Sequence, residues 1–180
     1  MVYILLADGF EETESVVPCD LLRRAEVETK LVGVSGKRIV SSHGIAVEAD
    51  MLLDEAAAQL PEMVVLPGGR RGVENLLASE QTLALVRQTW EAGKYVAAIC
   101  AAPTVLAALG ISSGRCATCY PGMEDRMADA KMTPEAVVID GRLITGRAAG
   151  SSMAFGLALV GTLCGEQTAH RIAQGVVYFC

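Results

Sequence analysis

Short apolar runs that lack hydrophobic–polar alternation recur along this chain, and a stretch with helical character follows most of them. Residues 2–7, 63–66 and 95–99 are the clearest of these runs. A strand that is apolar on both faces is typical of a parallel sheet, in which helices cover both faces. Parallel strands also need crossover connections, which are usually helices. The pattern therefore predicts a three-layer α/β/α sandwich around a mostly parallel sheet.

The rest of the chain divides into elements on the same grounds. A further strand is predicted at residues 28–34, and two hairpins at residues 39–49 and 137–145. A glycine-rich turn follows residues 63–66, and Ser79 is the predicted N-cap of the next helix. The predicted helices are residues 12–25, 54–59, 80–92, 104–109, 152–164 and 167–175.

The composition limits the class of protein. Of the 180 residues, 52% are hydrophobic, which excludes a disordered chain. There are 15 basic and 21 acidic residues without a basic block, so the charge disfavours nucleic-acid binding. The apolar opening ends at Asp8, too early for a signal peptide, and no apolar run has the length of a membrane span. Six cysteines outside a small secreted framework indicate a reducing compartment. We therefore expect a single cytoplasmic domain.

Cys100 lies at the end of the apolar run 95–99, directly before a predicted helix. A sulfur placed against a helix N-terminus experiences the positive end of the helix dipole, which favours the thiolate and predicts a lowered pKa. Strand-to-helix turns are also the usual sites of chemistry in parallel α/β sheets. The alternative is that Cys100 is a small hydrophobic core residue, the commoner role of a free cysteine.

Two other segments follow predicted strands and should meet Cys100 at the carboxyl edge of the sheet. Glu11 and Glu14 are three positions apart, so both can lie on one face of a helix, although acidic residues also favour the first turn of any helix. Gly68 and Gly69 would let backbone N–H groups approach a ligand closely, or simply form a tight turn. The segment that contains Gly68 and Gly69 has neither the glycine spacing of a Walker loop nor that of a dinucleotide-binding loop.

Cys116 and Cys119 have the spacing of a CxxC motif, but they lie in a strand-like run, whereas a redox dithiol normally begins a helix. No second pair of ligands completes a zinc site. We interpret them as two unpaired thiols, with Cys119 as a possible resolving thiol if it faces Cys100. Packing is the preferred interpretation for the remaining cysteines and for one histidine, namely Cys19, Cys164, Cys180 and His170.

Four blocks in the chain, residues 9–14, 64–69, 97–103 and 145–151, resemble the ThiJ/PfpI superfamily, in the branch of the Parkinson's-linked protein deglycase and bacterial YajL. The resemblance extends over nearly the whole chain. It implies one domain over residues 1–180, of the class I glutamine amidotransferase-like type, with a flavodoxin-like sandwich. It also implies a homodimer without a metal or cofactor, in which the sulfur of a reactive cysteine contacts a protonated glutamate.

The resemblance assigns roles to particular residues. Cys100 takes the nucleophile position and Glu14 the glutamate position, and the anion-binding amides are carried over to Gly69, Arg70 and Ala101. A thiolate and a carboxylate in contact repel each other, so such a pair keeps one proton between them. The near-site candidates are Glu11, Arg24, His43, Cys119, Tyr120 and Arg147.

The chain departs from the family pattern at three places. Tyr120 stands where many members have a histidine, so a Cys–His dyad is doubtful. Ala101 stands where the peptidase-like branch has a histidine, which disfavours protease activity. His43 stands where animal members have an arginine near the dimer contact.

The resemblance implies a cofactor-free, cysteine-dependent glyoxalase or deglycase, which acts on methylglyoxal, glyoxal or early glycation adducts. The alternative is a redox sensor or redox-regulated chaperone, in which Cys100 is oxidised to a sulfinate without dedicated catalysis. A role in thiazole-phosphate biosynthesis is a third possibility that no residue supports. Nothing in the sequence separates the first two functions, because both need an accessible thiol beside an anion pocket.

Overall fold

Alternating strands and helices run through the whole computed structural model, which describes residues 1–127 and 129–178. Cys180 lies outside the described residues. The strands are β1 (Val2–Leu6), β2 (Thr29–Gly33), β3 (Arg38–Val40), β4 (Ala46–Glu48), β5 (Met51–Leu52), β6 (Met63–Leu66), β7 (Tyr95–Ile99), β8 (Cys116–Ala117), β9 (Lys131–Met132), β10 (Val137–Asp140) and β11 (Leu143–Gly146). The helices are α1 (Glu12–Arg24), α2 (Leu53–Ala56), α3 (Arg70–Ala78), α4 (Glu80–Glu91), α5 (Pro103–Ala108), α6 (Ser152–Cys164) and α7 (Glu166–Gly175).

Seven of the strands form the central sheet, in the spatial order β10-β11-β7-β6-β1-β2-β5. All neighbours in it are parallel except β10 and β11, which form the predicted second hairpin. The first predicted hairpin is the antiparallel pair β3–β4. The predicted mostly parallel sheet is therefore confirmed, with its antiparallel strand at one edge.

Side chains of the central strands point alternately into two cores, one on each face of the sheet. In β1, Tyr3 and Leu5 belong to the core that includes residues of α2, α3, α4 and α5, whereas Ile4 and Leu6 belong to the core that includes residues of α1, α6 and α7. All five residues of β1 and all four of β6 are buried. Burial on both faces explains why these strands lack polar positions. The three-layer α/β/α sandwich is confirmed.

The helix α3 was not predicted, because residues 67–72 have the composition of a loop. Gly72 lies inside this helix, where glycine is unfavourable by about 1 kcal/mol relative to alanine. A Cβ atom at Gly72 would lie 2.8 Å from both the Cα and the N of Phe10. The glycine is therefore required by a tertiary contact that the local sequence does not reveal. The next helix begins as predicted, with Ser79 Oγ accepting a hydrogen bond from the Thr82 N–H (3.2 Å).

The order of the strands positions the candidate site. The strands β7, β6 and β1 are adjacent, and all three are parallel. The segments after them, which contain Cys100, Gly68–Gly69 and Glu11–Glu14, are consequently brought to one edge of the sheet, as expected. No helix in the described ranges is long and apolar enough to cross a membrane.

Candidate active site

Cys100 occupies a strained turn between β7 and α5. Its φ angle is +66°, in the left-handed region that non-glycine residues rarely adopt, at a cost of about 1–3 kcal/mol. Both of its backbone polar groups are bound: its N–H donates to the Gly146 carbonyl (2.9 Å), and its carbonyl accepts from the Tyr120 N–H (2.8 Å). These contacts hold the turn, and the side chain of Cys100 stays partly exposed at the edge of the sheet.

Glu14 is completely buried in the first turn of α1, directly beside Cys100. Its Oε2 accepts a hydrogen bond from the Gly68 N–H (2.8 Å), and the carboxyl group interacts with the Cys100 thiol. Its Oε1 is buried without a hydrogen-bond partner among the described residues. A protonated Glu14 can therefore donate to the sulfur while Oε2 continues to accept from Gly68. The alternative interpretation of Glu14, as an acid that only favours the helix N-terminus, does not account for its burial.

The two glycines after β6 are required for this contact. A Cβ atom at Gly68 would lie 2.6 Å from Glu14 Oε2 and 2.8 Å from Cys100 Cβ. Gly69 has a φ angle of +86°, and a Cβ atom there would lie 2.3 Å from the Gly9 carbonyl oxygen. The loop is consequently a tight turn, and it also brings the backbone close to the site. Both interpretations given for Gly68 and Gly69 from the sequence therefore apply.

Burial dominates the ionisation of the pair. It raises the pKa of Glu14 from 4.5 to about 7. Burial, followed by the charge of Glu14, raises the pKa of Cys100 from 9.0 to about 12, although the Ala101 and Gly69 N–H groups act in the opposite direction. The lowered thiol pKa predicted from the helix dipole is therefore wrong in direction, because desolvation and a neighbouring carboxylate outweigh the backbone dipoles. Since the two negative charges repel, the pair retains one proton above about pH 7.

The backbone donors at the sulfur match the predicted set in part. The N–H groups of Ala101 and Gly69 interact with it, and Gly69 is the N-cap of α3. Arg70 is the first residue of α3 and lines the cleft in front of Cys100. Its side chain is 96% exposed, and its Nε lies 3.7 Å from Glu74 Oε1. The structure therefore brings the predicted anion-binding residues to one place, and the donors it directs at the sulfur are those of Ala101 and Gly69.

A cleft of about 620 Å³ opens in front of the sulfur. Cys100, Gly69 and Ala101 line it, together with Glu11 and Tyr120, as expected for near-site residues. Sequence reasoning missed the side chains that complete the cleft, namely Val73, Glu74, Leu77, Pro121, Gly122, Met123 and Arg126. The apolar pair Val73 and Leu77 has the i, i+4 spacing of a helix face, and this signal was hidden because α3 itself was not predicted.

Arg24 lies far from Cys100 of the same chain, although it was expected near the site. It lies in the last turn of α1, where its Nε pairs with Asp20 Oδ2 (2.7 Å) on the surface. The helix begins at the site and has 13 residues, which at about 1.5 Å per residue places its end about 20 Å away.

Cys119 and Arg147 lie beside the site rather than in the cleft. Cys119 is 1% exposed and packs with Ala117 and Met127, and its Sγ donates to the Tyr120 carbonyl (3.4 Å). Burial and the charge of Glu124 raise the pKa of Cys119 to about 11, against the opposing charge of Arg147. Cys116 is an unpaired, exposed thiol on β8, as the strand-like run predicts. Cys19 is buried, in agreement with the packing interpretation, whereas Cys164 is exposed at the end of α6, so that interpretation is wrong for Cys164.

His43 is at the rim of the site, in the turn between β3 and β4. Its Nδ1 lies 2.8 Å from Glu12 Oε1 and 3.8 Å from Glu11 Oε2. Within the described residues, these three side chains are the group whose ligand atoms are close enough to hold a metal ion, all within 4.8 Å of one another. The hydrogen bond between His43 and Glu12 accounts for their proximity without an ion.

An α/β sandwich with a cysteine at a strand-to-helix turn, held against a buried glutamate, defines a class of proteins with a nucleophilic cysteine. The model of the DJ-1/PfpI family matches residues 1–162. The chain belongs to this family, which confirms the resemblance drawn from the four sequence blocks.

Relatives of known name agree over most of the chain. Protein dj-1beta of Drosophila melanogaster is 35% identical over 97% of this chain and 95% of its own length. Its crystal structure has a TM-score of 0.96 over 99% of this chain and 98% of its own. The Parkinson disease protein 7 homolog of Danio rerio is 36% identical over 97% of this chain and 95% of its own length. Deglycase PH1704 of Pyrococcus horikoshii is 32% identical over 81% of this chain and 89% of its own length. The flavodoxin-like fold is thereby confirmed.

Proposed function

We propose that the protein is a cofactor-free glyoxalase or deglycase that acts on methylglyoxal, glyoxal or early glycation adducts. The observation that carries the proposal is the buried Glu14 carboxyl group against the Cys100 thiol, which lines an open cleft. A carboxyl group with a pKa of about 7 can both accept and return a proton near neutral pH. The name of the 32% identical deglycase adds support for enzymatic activity in this fold.

In the proposed reaction, ionised Glu14 takes the thiol proton as the Cys100 sulfur attacks the aldehyde carbon. Glu14 then gives that proton to the carbonyl oxygen, which forms a hemithioacetal. The N–H groups of Gly69 and Ala101 stabilise the negative charge that develops on this oxygen during the attack. Because the thiol is deprotonated only as it reacts, the raised pKa of Cys100 is compatible with catalysis.

Glu14 completes the reaction as a proton carrier. Its carboxylate removes the proton from the carbon that carries the sulfur, and returns it to the neighbouring carbonyl carbon through an enediol. The hydroxyl proton of the hemithioacetal moves to the neighbouring oxygen in the same isomerisation, so that a thioester and a 2-hydroxyl group are formed. The first carbon is oxidised and the second is reduced, so no external oxidant or reductant is needed. Water then hydrolyses the resulting thioester, which releases the 2-hydroxy acid and restores the Cys100 thiol.

The test is the rate of lactate formation from methylglyoxal. We expect kcat/KM to fall by about a thousandfold or more in Cys100→Ser and by about a hundredfold in Glu14→Gln, because the amide cannot transfer a proton. Glu12→Gln is the matched control, since its side chain binds His43 rather than Cys100, and its activity should stay within about twofold of the wild type. Equal losses in the Glu12 and Glu14 variants would contradict the proposal.

The second candidate function is a redox sensor or redox-regulated chaperone. It is favoured by the N–H groups of Gly69 and Ala101 around the sulfur, because these donors, with protonated Glu14, would stabilise a Cys100 sulfinate. Absence of turnover in the wild type, together with sulfinate at Cys100 as the main product of mild peroxide treatment, would favour this function. With either function, we propose a cytoplasmic homodimer.

A further inference from the structure

The cleft in front of Cys100 is much larger than a small dicarbonyl needs. Its volume is about 620 Å³, within the range of about 300–1,000 Å³ that is common for pockets that bind drug-sized ligands. Methylglyoxal has only a methyl group beyond its two carbonyls. If the aldehyde carbon is at the sulfur, most of the cleft is left for a longer arm of the substrate.

The walls of this remaining space are apolar on two sides. Val73 and Leu77 lie one turn apart on α3, and both pack against the core beneath that face of the sheet. Met123 and Pro121 line the cleft from the segment that follows Tyr120. These two groups of residues belong to separate parts of the chain, and both line the same cleft as Cys100.

The charged groups of the cleft balance each other. Arg70 and Arg126 contribute two positive charges, and Glu11 and Glu74 contribute two negative charges. Arg70 and Glu74 also lie on one face of α3, with Arg70 Nε 3.7 Å from Glu74 Oε1. A charged arm would therefore gain little over a neutral one, whereas an apolar arm would leave water for contact with the two apolar walls.

We propose that the cleft between α3 and the segment at Met123 is a subsite for an uncharged, apolar arm of the substrate. The preferred substrate class is then 2-oxoaldehydes with an alkyl or aryl arm, rather than methylglyoxal itself. This inference rests on the proposed function for its chemistry, because it assumes that the aldehyde carbon reacts at Cys100.

The first experiment compares turnover along the series methylglyoxal, 2-oxobutanal, 2-oxopentanal and 2-oxohexanal, whose reacting carbonyls are alike. A methylene that is fully removed from water contributes about a fourfold gain in binding, and the cleft is partly open. We therefore expect kcat/KM to rise by about tenfold from the methyl to the butyl arm. A flat series, or a fall with arm length, would overturn the proposal.

Polar substitutions in the two walls locate the effect. Met123→Gln and Leu77→Asn should each lower the butyl-to-methyl ratio of kcat/KM by about three- to fivefold, because an apolar contact is replaced by a polar one. Met51→Gln is the matched control: Met51 is also partly buried against the same core, but it lies on β5, away from the cleft, so the ratio should not change. An unchanged ratio in both wall variants, each verified as folded by its thermal transition, would refute the subsite.

A second measurement does not depend on turnover. N-Butyl iodoacetamide and iodoacetamide alkylate thiols by the same reaction, and the rates at Cys100 can be read by peptide mass spectrometry. We expect the butyl reagent to react about five times faster at Cys100, and at an equal rate at exposed Cys164. If no 2-oxoaldehyde is turned over but this ratio holds, the proposed function fails and the apolar subsite stands; equal rates at Cys100 would refute the subsite.

Discussion

Cys100 and Cys119 both form hydrogen bonds with Tyr120, yet their surroundings differ. The Tyr120 N–H donates to the Cys100 carbonyl, and Cys119 Sγ donates to the Tyr120 carbonyl. Both thiols have pKa values raised by burial, to about 12 and about 11. Cys100 opens onto a cleft and contacts a carboxyl group and two backbone N–H groups, whereas Cys119 is enclosed by Ala117 and Met127. The direction of the pKa shift is the same in both thiols, so it does not distinguish them. We therefore expect access and a proton acceptor beside the sulfur to decide which of the two thiols is the more reactive.

The largest expected effect is on alkylation of these two thiols. With iodoacetamide at pH 7.5, we expect Cys100 to react at least about a hundredfold faster than Cys119, because only Cys100 has an open path to the reagent and Glu14 to take its proton. Peptide mass spectrometry over time gives both rates. In denaturant the two rates should converge. If Cys119 reacts as fast as Cys100 in the native protein, the comparison fails.

We expect a smaller effect, on stability, when the close contact of Gly68 with Glu14 and Cys100 is disturbed. Gly68→Ala places a methyl group 2.6 Å from Glu14 Oε2 and 2.8 Å from Cys100 Cβ, so we expect a loss of about 2–3 kcal/mol in the free energy of unfolding. Denaturant titration measures this loss. Gly150→Ala, which meets no atom within 4 Å, should stay within about 0.5 kcal/mol of the wild type. Similar losses in both variants would show that the fit at Gly68 is not special.

The pH dependence of stability isolates the titration of Glu14. The pKa of Glu14 is raised from 4.5 to about 7 in the folded chain, so its contribution to stability is fully present below pH 4.5 and is lost as the pH rises through about 7. We expect the difference in unfolding free energy between the wild type and Glu14→Gln to fall by about 2–3 kcal/mol between pH 4.5 and pH 8.

Denaturant titration at several pH values from about 4.5 to about 8 measures this difference while thiols of the unfolded chain, with a pKa of about 8.5, stay mostly protonated. The corresponding variant at the rim, Glu12→Gln, should show the opposite sign, because the pKa of Glu12 is lowered in the folded chain by backbone and side-chain hydrogen bonds that outweigh its desolvation. A difference for Glu14→Gln that is independent of pH would mean that Glu14 ionises alike in the folded and unfolded states.

Local patterns in the sequence were sufficient for most of the fold. Apolar runs without alternation predicted the buried parallel strands, and the placement of Cys100 after such a run predicted its turn. The boundaries of the predicted helices agree with the structure within a few residues. The helix α3 was not predicted, because it contains Gly72, which the nearby backbone of Phe10 requires. The sequence did not show that Arg24 lies away from Cys100 of the same chain, because this depends on the 13-residue length and the direction of α1.

The sequence by itself therefore determined the layers, the turn at Cys100 and the meeting of three loops at one edge, since each depends on short apolar runs and the helical stretches between them, which are local features of the chain. Only the tertiary structure decided the ionisation of the Cys100–Glu14 pair and the shape of the cleft. A pKa depends on how much water surrounds a group and which charges face it, and a cleft depends on side chains from α3 and the Met123 segment. These quantities arise from contacts between residues far apart in sequence, so no local pattern contains them.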